Sequence, residues 1–211
     1  MALNIQIMPV TPFRQNATLL WDDESGEAVF TDVGGDSDYL WAEAERLNLT
    51  PTAIWLTHGH LDHAGGVDAM LKQHPLPVYG PHPDDAFLLD NLPNITAQYQ
   101  FPVSPAITPT RWLQEGEQLQ VGRYVFDVLH IPGHTPGHVV FHNSQEKLLI
   151  TGDVLFFETI GRTDFPRSNH QDLIHNIKEK LFILHEDTLI IPGHGRTTTI
   201  GHEKQNNPFL T

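Results

Sequence analysis

The chain is expected to adopt an α/β fold in which two packed sheets carry helices on their outer faces. Three observations predict it. Short apolar runs of strand length, bounded by Gly, Pro, Asn or Asp, recur in both halves of the chain. Segments with apolar residues at helical spacing lie between them. The order is strand runs, helices, strand runs again, then a helix and a strand, which divides the chain into two similar halves.

Taken in order, residues 4–10 and 17–21 read as strands, and residues 27–32 as a third after the turn at Ser25-Gly26. Val33-Gly34-Gly35 ends that run, and Asp36 or Ser37 is placed to cap a helix reaching Leu47, with Leu40, Ala44 and Leu47 on one face. Residues 53–56 form a buried strand. A helix over 66–73 and a strand over 77–80 follow. Pro83-Asp84-Asp85 opens a further helix to about Leu92, with proline tolerated in its first turn. Four prolines make residues 93–110 irregular, and Tyr99 and Phe101 within them are candidates for a pocket wall. Strands are expected at 119–120, 124–131, 139–142 and 148–151, a last helix at 171–184 and a last strand at 188–191. No repeat, low-complexity tract or linker interrupts residues 1–211, so one domain is expected.

With 39% hydrophobic residues among 211, the chain can bury a sizeable core. Cysteine is absent, which excludes disulfides, thiolate ligands and a cysteine nucleophile together. The 12 basic and 26 acidic residues give a formal charge of −14, and no basic patch is concentrated anywhere, so nucleic acid is not an expected partner. The N-terminal residues lack a signal-peptide pattern and no segment has the length of a membrane span, so the cytoplasm is the expected location. A monomer or small homo-oligomer is expected.

Chemistry concentrates in Thr57-His58-Gly59-His60-Leu61-Asp62-His63-Ala64-Gly65-Gly66, directly after the apolar run 53–56. A strand that ends there and turns into a helix would bring three imidazoles and a carboxylate into one small volume, a ligand set suited to zinc, iron or manganese. Three other points repeat the design of an apolar strand followed at once by a potential ligand. They are His134 within Pro132-Gly133-His134-Thr135-Pro136-Gly137-His138, Asp153 after Gly152, and His194 within Pro192-Gly193-His194-Gly195. Solvent-facing histidines would explain any one of these; four in a cysteine-free chain point to a metal site. His138 is either an orienting partner of a ligand or a core histidine. His74, His82, His130, His142, His170, His175, His185 and His202 have no spacing that singles them out.

His58-Gly59-His60-Leu61-Asp62-His63, with His134, Asp153 and His194, resembles the metallo-β-lactamase superfamily. The resemblance implies a four-layer αβ/βα sandwich and two divalent metal ions, zinc or alternatively iron or manganese. His58, His60 and His134 would hold the first ion, Asp62, His63 and His194 the second, and Asp153 both. Asp153 and the segment Gly161-Arg162-Thr163-Asp164-Phe165 are similar to the glyoxalase II branch, in its small bacterial form without the C-terminal helical domain. An aspartate rather than a cysteine at 153 argues against the antibiotic-hydrolysing lactamases.

That branch implies thioester hydrolysis, S-D-lactoylglutathione giving D-lactate and glutathione, by a hydroxide shared between the two ions. Asp62 and Asp153 would be catalytic and Arg162 would contact substrate, whereas Arg167 is expected to form a surface ion pair. Two alternatives stand beside it. A glutathione persulfide dioxygenase using one iron shares the fold and a Gly-Arg-Thr-Asp-Phe segment. A non-catalytic metal-stabilised module would use the same ligands without turnover.

Overall fold

The computed structural model describes residues 2–211. Its first sheet comprises β1 (Leu3–Val10), β2 (Gln15–Asp22), β3 (Glu27–Thr31), β4 (Thr50–Trp55) and β5 (Val78–Tyr79), in that spatial order. The first three strands run antiparallel to one another, and β3, β4 and β5 are parallel. The second sheet contains β6 (Gln118–Val121), β7 (Tyr124–His130), β8 (Val139–Asn143), β9 (Leu148–Gly152), β12 (Leu189–Pro192) and β13 (Thr198–Thr199), ordered β13-β12-β9-β8-β7-β6. A separate hairpin pairs β10 (Leu155–Phe156) with β11 (Thr159–Ile160).

Strand alternation builds the layers. Side chains on successive strand residues point to opposite faces, so Leu19, Phe30 and Ile54 join one core cluster while their neighbours Leu20, Val29 and Trp55 join another. The second of these clusters also takes Phe126, Phe141 and Ile150 from the other sheet, so it is the seam between the sheets. Trp55 packs there against Phe126 and Phe141 at centroid distances of 5.3 and 5.4 Å. The cluster containing Leu19 is covered by α1 (Ser37–Arg46) and α3 (Val67–Gln73), through Leu40, Ala44, Val67 and Met70. On the far side, Val140, Leu149 and Ile190 pack beneath α6 (His170–Asn176) and α7 (Ile200–Asn206). The result is the expected four layers, helix, sheet, sheet, helix.

Several local expectations are corrected. Neither Asp36 nor Ser37 caps α1 through its side chain: the Ser37 hydroxyl donates to the Gly66 carbonyl, and Asp36 accepts from the Thr11 N–H. The helix expected from Pro83 begins as a 3-10 turn and continues as α4 (Ala86–Asp90). Residues 93–98 are not irregular but belong to α5 (Leu92–Gln98), because Pro93 falls in its first turn, where no N–H is needed. The helix expected over 171–184 starts at His170, capped by Asn169, and widens after Asn176 into a π-turn over Ile177–Leu181. The hairpin and α7 were not expected. Gly201 weakens the helical signal of α7, whereas the Thr199 hydroxyl caps it by accepting from the His202 N–H. Among the described residues, no helix is long and apolar enough to cross a membrane.

Candidate metal centre

Each proposed ligand follows a strand end. Beyond β4 the chain turns through Thr57 to His58 and His60, and the short helix α2 (Leu61–Ala64) supplies Asp62 and His63. The loop after β7 carries His134, Asp153 follows β9, and His194 follows β12. Backbone bonds stitch these ends together across the sheet seam. Val139 N–H donates to Thr57 O at 2.8 Å, Gly193 N–H to Gly152 O at 2.8 Å, and Asn16 N–H to Gly193 O at 2.7 Å. Glycine is required at 193, where a Cβ would collide with the Asp153 carboxylate and the His63 ring. At Gly152 a positive φ of 46° coincides with the packing of Thr57 and His138 against the backbone.

All seven side chains converge. Donor atoms of His58, His60 and His134 lie within 4.8 Å of one another, as do those of His58, His63 and Asp153, and those of Asp62, His63 and His194. Asp153 reaches both ends of the cluster, with Oδ1 3.2 Å from His63 Nε2, and Oδ2 3.6 Å from His134 Nε2 and 3.8 Å from His194 Nε2. Asp62 Oδ2 lies 3.1 Å from His194 Nε2.

The far ring nitrogens fix which atoms carry lone pairs. His134 Nδ1–H donates to Arg162 O at 2.8 Å, and His63 Nδ1–H to Asp32 Oδ2 at 2.9 Å. The Thr57 hydroxyl donates to Asp32 Oδ2 at 2.7 Å and so accepts from His58 Nδ1–H at 3.1 Å. Nε2 of His58 and His134 is therefore unprotonated and faces the centre, the arrangement that outer partners impose on metal-binding imidazoles, and His63 Nε2 faces the centre with them. His58 Nε2 and His134 Nε2 both face His60 Nδ1, at 3.1 and 3.0 Å, and a single ring nitrogen can donate to only one of them. His63 Nε2 and Asp153 Oδ1 are buried with no hydrogen-bond partner. Unpartnered buried polar atoms are costly in themselves. A cation among them removes that cost, so the residues fit a divalent metal.

The electrostatics agree. Burial pushes the pKa of His58 well below the ordinary value and that of His60 down to about 3, with the neighbouring imidazoles adding to the effect, so both are neutral donors. Burial acts the same way on His63, but the carboxylates of Asp153, Asp32 and Asp62 overcome it and hold its pKa well above the ordinary value. Asp153 is held below the carboxylate range despite its burial, by His63, His134 and His194. The carboxylates of this half thus favour positive charge beside them.

The seven residues lie at or behind the floor of a cavity of about 1070 Å³, whose walls include Phe13, Phe87, Leu88, Tyr99, Phe157 and Phe165. Tyr99 is a wall residue as expected. Phe101 instead stacks on Phe13, 5.6 Å between centroids. Arg162 lines the cavity with its guanidinium paired to Asp164 at 2.9 Å and laid over Phe165 at 4.6 Å. Arg167 makes no ion pair among the described residues; it lies over Phe87 at 4.6 Å and donates to Asp84 O. The expectation for Arg167 is therefore corrected, and Arg162 is the one with an acidic partner.

A family model of the metallo-beta-lactamase superfamily matches residues 10–194. The chain belongs to the metallo-beta-lactamase superfamily. A relative within it, hydroxyacylglutathione hydrolase GloC of Haemophilus influenzae, is 47% identical over 210 residues, covering 99% of this chain and 98% of that one. Among solved structures, that of the BLEG-1 B3 metallo-beta-lactamase is 39% identical with a TM-score of 0.90, covering 99% of this chain and all of that one. The structure of TTHA1623 in a di-iron-bound form is 36% identical with a TM-score of 0.88, covering 97% of this chain and all of that one.

Within this superfamily site, several residues escaped the sequence reading. Asp32 is buried and accepts from the Thr57 N–H, the Thr57 hydroxyl and His63 Nδ1–H. It too follows a strand end, at Thr31-Asp32, and that shared pattern is the signal that could have found it. His138 is fully buried, and its Nε2 accepts from the Asp153 backbone N–H at 3.0 Å. Asp85 and Arg196 carried no local signal at all. His82, Asp84 and His130 also come together, but the Nε2 atoms of both rings are bonded to protein oxygens, those of Gln114 and Pro136.

Proposed function

We propose that this chain is a metal-dependent thioester hydrolase that cleaves S-D-lactoylglutathione to D-lactate and glutathione. The observation that carries the reading is the convergence of seven potential ligand side chains beneath a cavity large enough for a peptide thioester. The GloC likeness over nearly the whole chain supports the substrate class.

In this reading His58, His60 and His134 would hold one divalent ion, and Asp62, His63 and His194 a second. Asp153, with one carboxylate oxygen facing His63 and the other facing His134 and His194, would contribute to both. When bound, two such ions supply a nucleophile from water at neutral pH and polarise the scissile carbonyl. The chain's own residues do the rest. Both carboxylates line the cavity, and Asp62, its side chain 22% exposed against 12% for Asp153, is the more open of the two and suited to orienting the attacking water. Asp32, the Arg162 carbonyl and Thr57 accept the Nδ1 protons of His63, His134 and His58 on the side away from the centre. The aromatic walls exclude bulk water from the reacting carbonyl, and Arg162 offers a cation at the rim. Zinc, iron and manganese all suit this nitrogen and oxygen donor set.

Metal analysis of purified protein, followed by assay on S-lactoylglutathione, glutathione persulfide and a β-lactam, tests the proposal. Two divalent ions per chain with thioester cleavage are expected. Oxygen uptake with the persulfide, or β-lactam opening, in the absence of thioester cleavage would overturn it.

A further inference from the structure

Two arginines line the cavity, and the chain treats them differently. Arg162 Nε and Nη2 both donate to the Asp164 carboxylate, at 3.0 and 2.9 Å, so its charge is matched internally. Arg196 has no carboxylate within ion-pair distance among the described residues. Its guanidinium carbon lies over the Phe157 ring, 3.3 Å from the centroid. The acid next to that ring, Glu158, is engaged elsewhere, bonded to His202 Nε2 at 3.0 Å. In a chain of net charge −14, Arg46, Arg111, Arg123 and Arg162 have acidic partners, whereas Arg14, Arg167 and Arg196 have none among the described residues; of these three, Arg196 is the one that lines the cavity.

Arg196 stands two residues beyond His194, beside the Asp62, His63 and His194 group, whereas Arg162 is tied through its carbonyl to His134 and the opposite group. Stacking on an aromatic face fixes the plane of a guanidinium while leaving its edge N–H donors directed outward. A planar fork held in this way matches a carboxylate through two parallel bonds. We propose that Arg196, bedded on Phe157, binds a carboxylate on the thiol half of the substrate, so that the enzyme selects thioesters of carboxylate-bearing thiols over those of neutral thiols. This rests on the thioesterase reading, in which the hydroxyacyl half carries no charge and any substrate carboxylate belongs to the thiol.

The test compares the metal-loaded protein with Arg196→Gln and Arg196→Lys on two lactoyl thioesters, one of glutathione and one of the neutral thiol N-acetylcysteamine. Calorimetric binding of S-methylglutathione, which has the carboxylates but no thioester, is measured in parallel. For R196Q the ratio of kcat/KM between the two thioesters falls about tenfold, the change lying in KM, and S-methylglutathione binding weakens by a similar factor. R196K falls between, because it keeps the charge and loses the fork. Added salt shrinks the difference between wild type and R196Q. An unchanged ratio together with unchanged S-methylglutathione affinity would overturn the assignment. If wild type cleaves neither thioester, the thioesterase reading fails, and S-methylglutathione binding alone then decides on Arg196.

Discussion

Asp85 accepts a hydrogen bond from the Thr135 hydroxyl at 2.8 Å, and this contact ties the first ligand-bearing loop to the second. The same carboxylate accepts from the Gly59 N–H at 3.0 Å, between His58 and His60, and from the Gly137 N–H at 2.6 Å, between His134 and His138. Asp85 is fully buried and touches no proposed ligand directly. It sets the separation of the loops through three donors. An amide has one acceptor oxygen, so Asp85→Asn must turn its NH2 toward at least one of those donors. Metal affinity should fall about tenfold to a hundredfold, as for other outer partners of metal ligands, and metal-buffer titration of D85N against wild type reads it. Unchanged affinity would remove Asp85 from the scaffold of the centre.

The same burial makes Asp85 a source of pH dependence. Desolvation raises its pKa to about 6, against the bonds from Thr135, Gly59 and Gly137 that lower it. The folded value exceeds the unfolded one, so between about pH 4 and pH 6 the folded chain holds a proton that the unfolded chain has released. Unfolding free energy from this group therefore falls as pH rises through that window and is level above it. The span is roughly 3 kcal/mol at about 1.4 kcal/mol per unit. Denaturant titrations of metal-free wild type and D85N from pH 4 to 8 should diverge in that window and run parallel above it. Parallel curves throughout would contradict the shift.

How much of this was legible in the sequence follows from how local each signal is. The proposed ligands were legible because they fall in four short segments, each following a strand end where glycine lets the backbone turn; His194 after Pro192-Gly193 is as readable alone as in company. The layers were legible because pairs such as Leu19-Leu20 and Ile190-Ile191 send neighbours to opposite faces of a sheet. Asp85 was not legible, since its three donors lie 26, 50 and 52 residues away and nothing near it marks a partner. Arg196 was hidden for a different reason: what distinguishes it is the lack of an acidic neighbour in space. The short helix α7 was lost to local propensity, which Gly201 lowers although Thr199 caps it and Ile200 is buried.

Asp32 offers a test of the tautomer argument. Its Oδ2 accepts from both His63 Nδ1–H and the Thr57 hydroxyl, and its Oδ1 from the Thr57 N–H. In Asp32→Asn, one orientation of the amide turns NH2 toward His63 Nδ1, which moves the ring proton to Nε2 and points it at the centre. The other orientation sets NH2 against the Thr57 N–H. Either way the second ion should bind about tenfold to a hundredfold more weakly. Nitrogen-15 spectra of the histidines in metal-free protein, taken at a pH high enough to leave His63 with a single ring proton, report the tautomer directly, and an unchanged His63 tautomer with unchanged affinity would refute the argument.

Asp153 and His194 separate one shared ligand from one unshared. Asp153 oxygens face His63 on one side and both His134 and His194 on the other, so its removal withdraws a donor from both ion positions and leaves His63 Nε2 without its nearest carboxylate, now 3.2 Å away. His194 lies in one group only, with Asp62 and His63. Asp153→Ala should therefore lower bound metal toward zero per chain and abolish turnover, while His194→Ala should retain about one ion, held by the three histidines of the first group. Elemental analysis after exhaustive dialysis distinguishes the two. If D153A kept both ions, Asp153 would not bridge. If H194A lost both, the two positions would not be separable and the division of the seven ligands into two groups would have to be withdrawn.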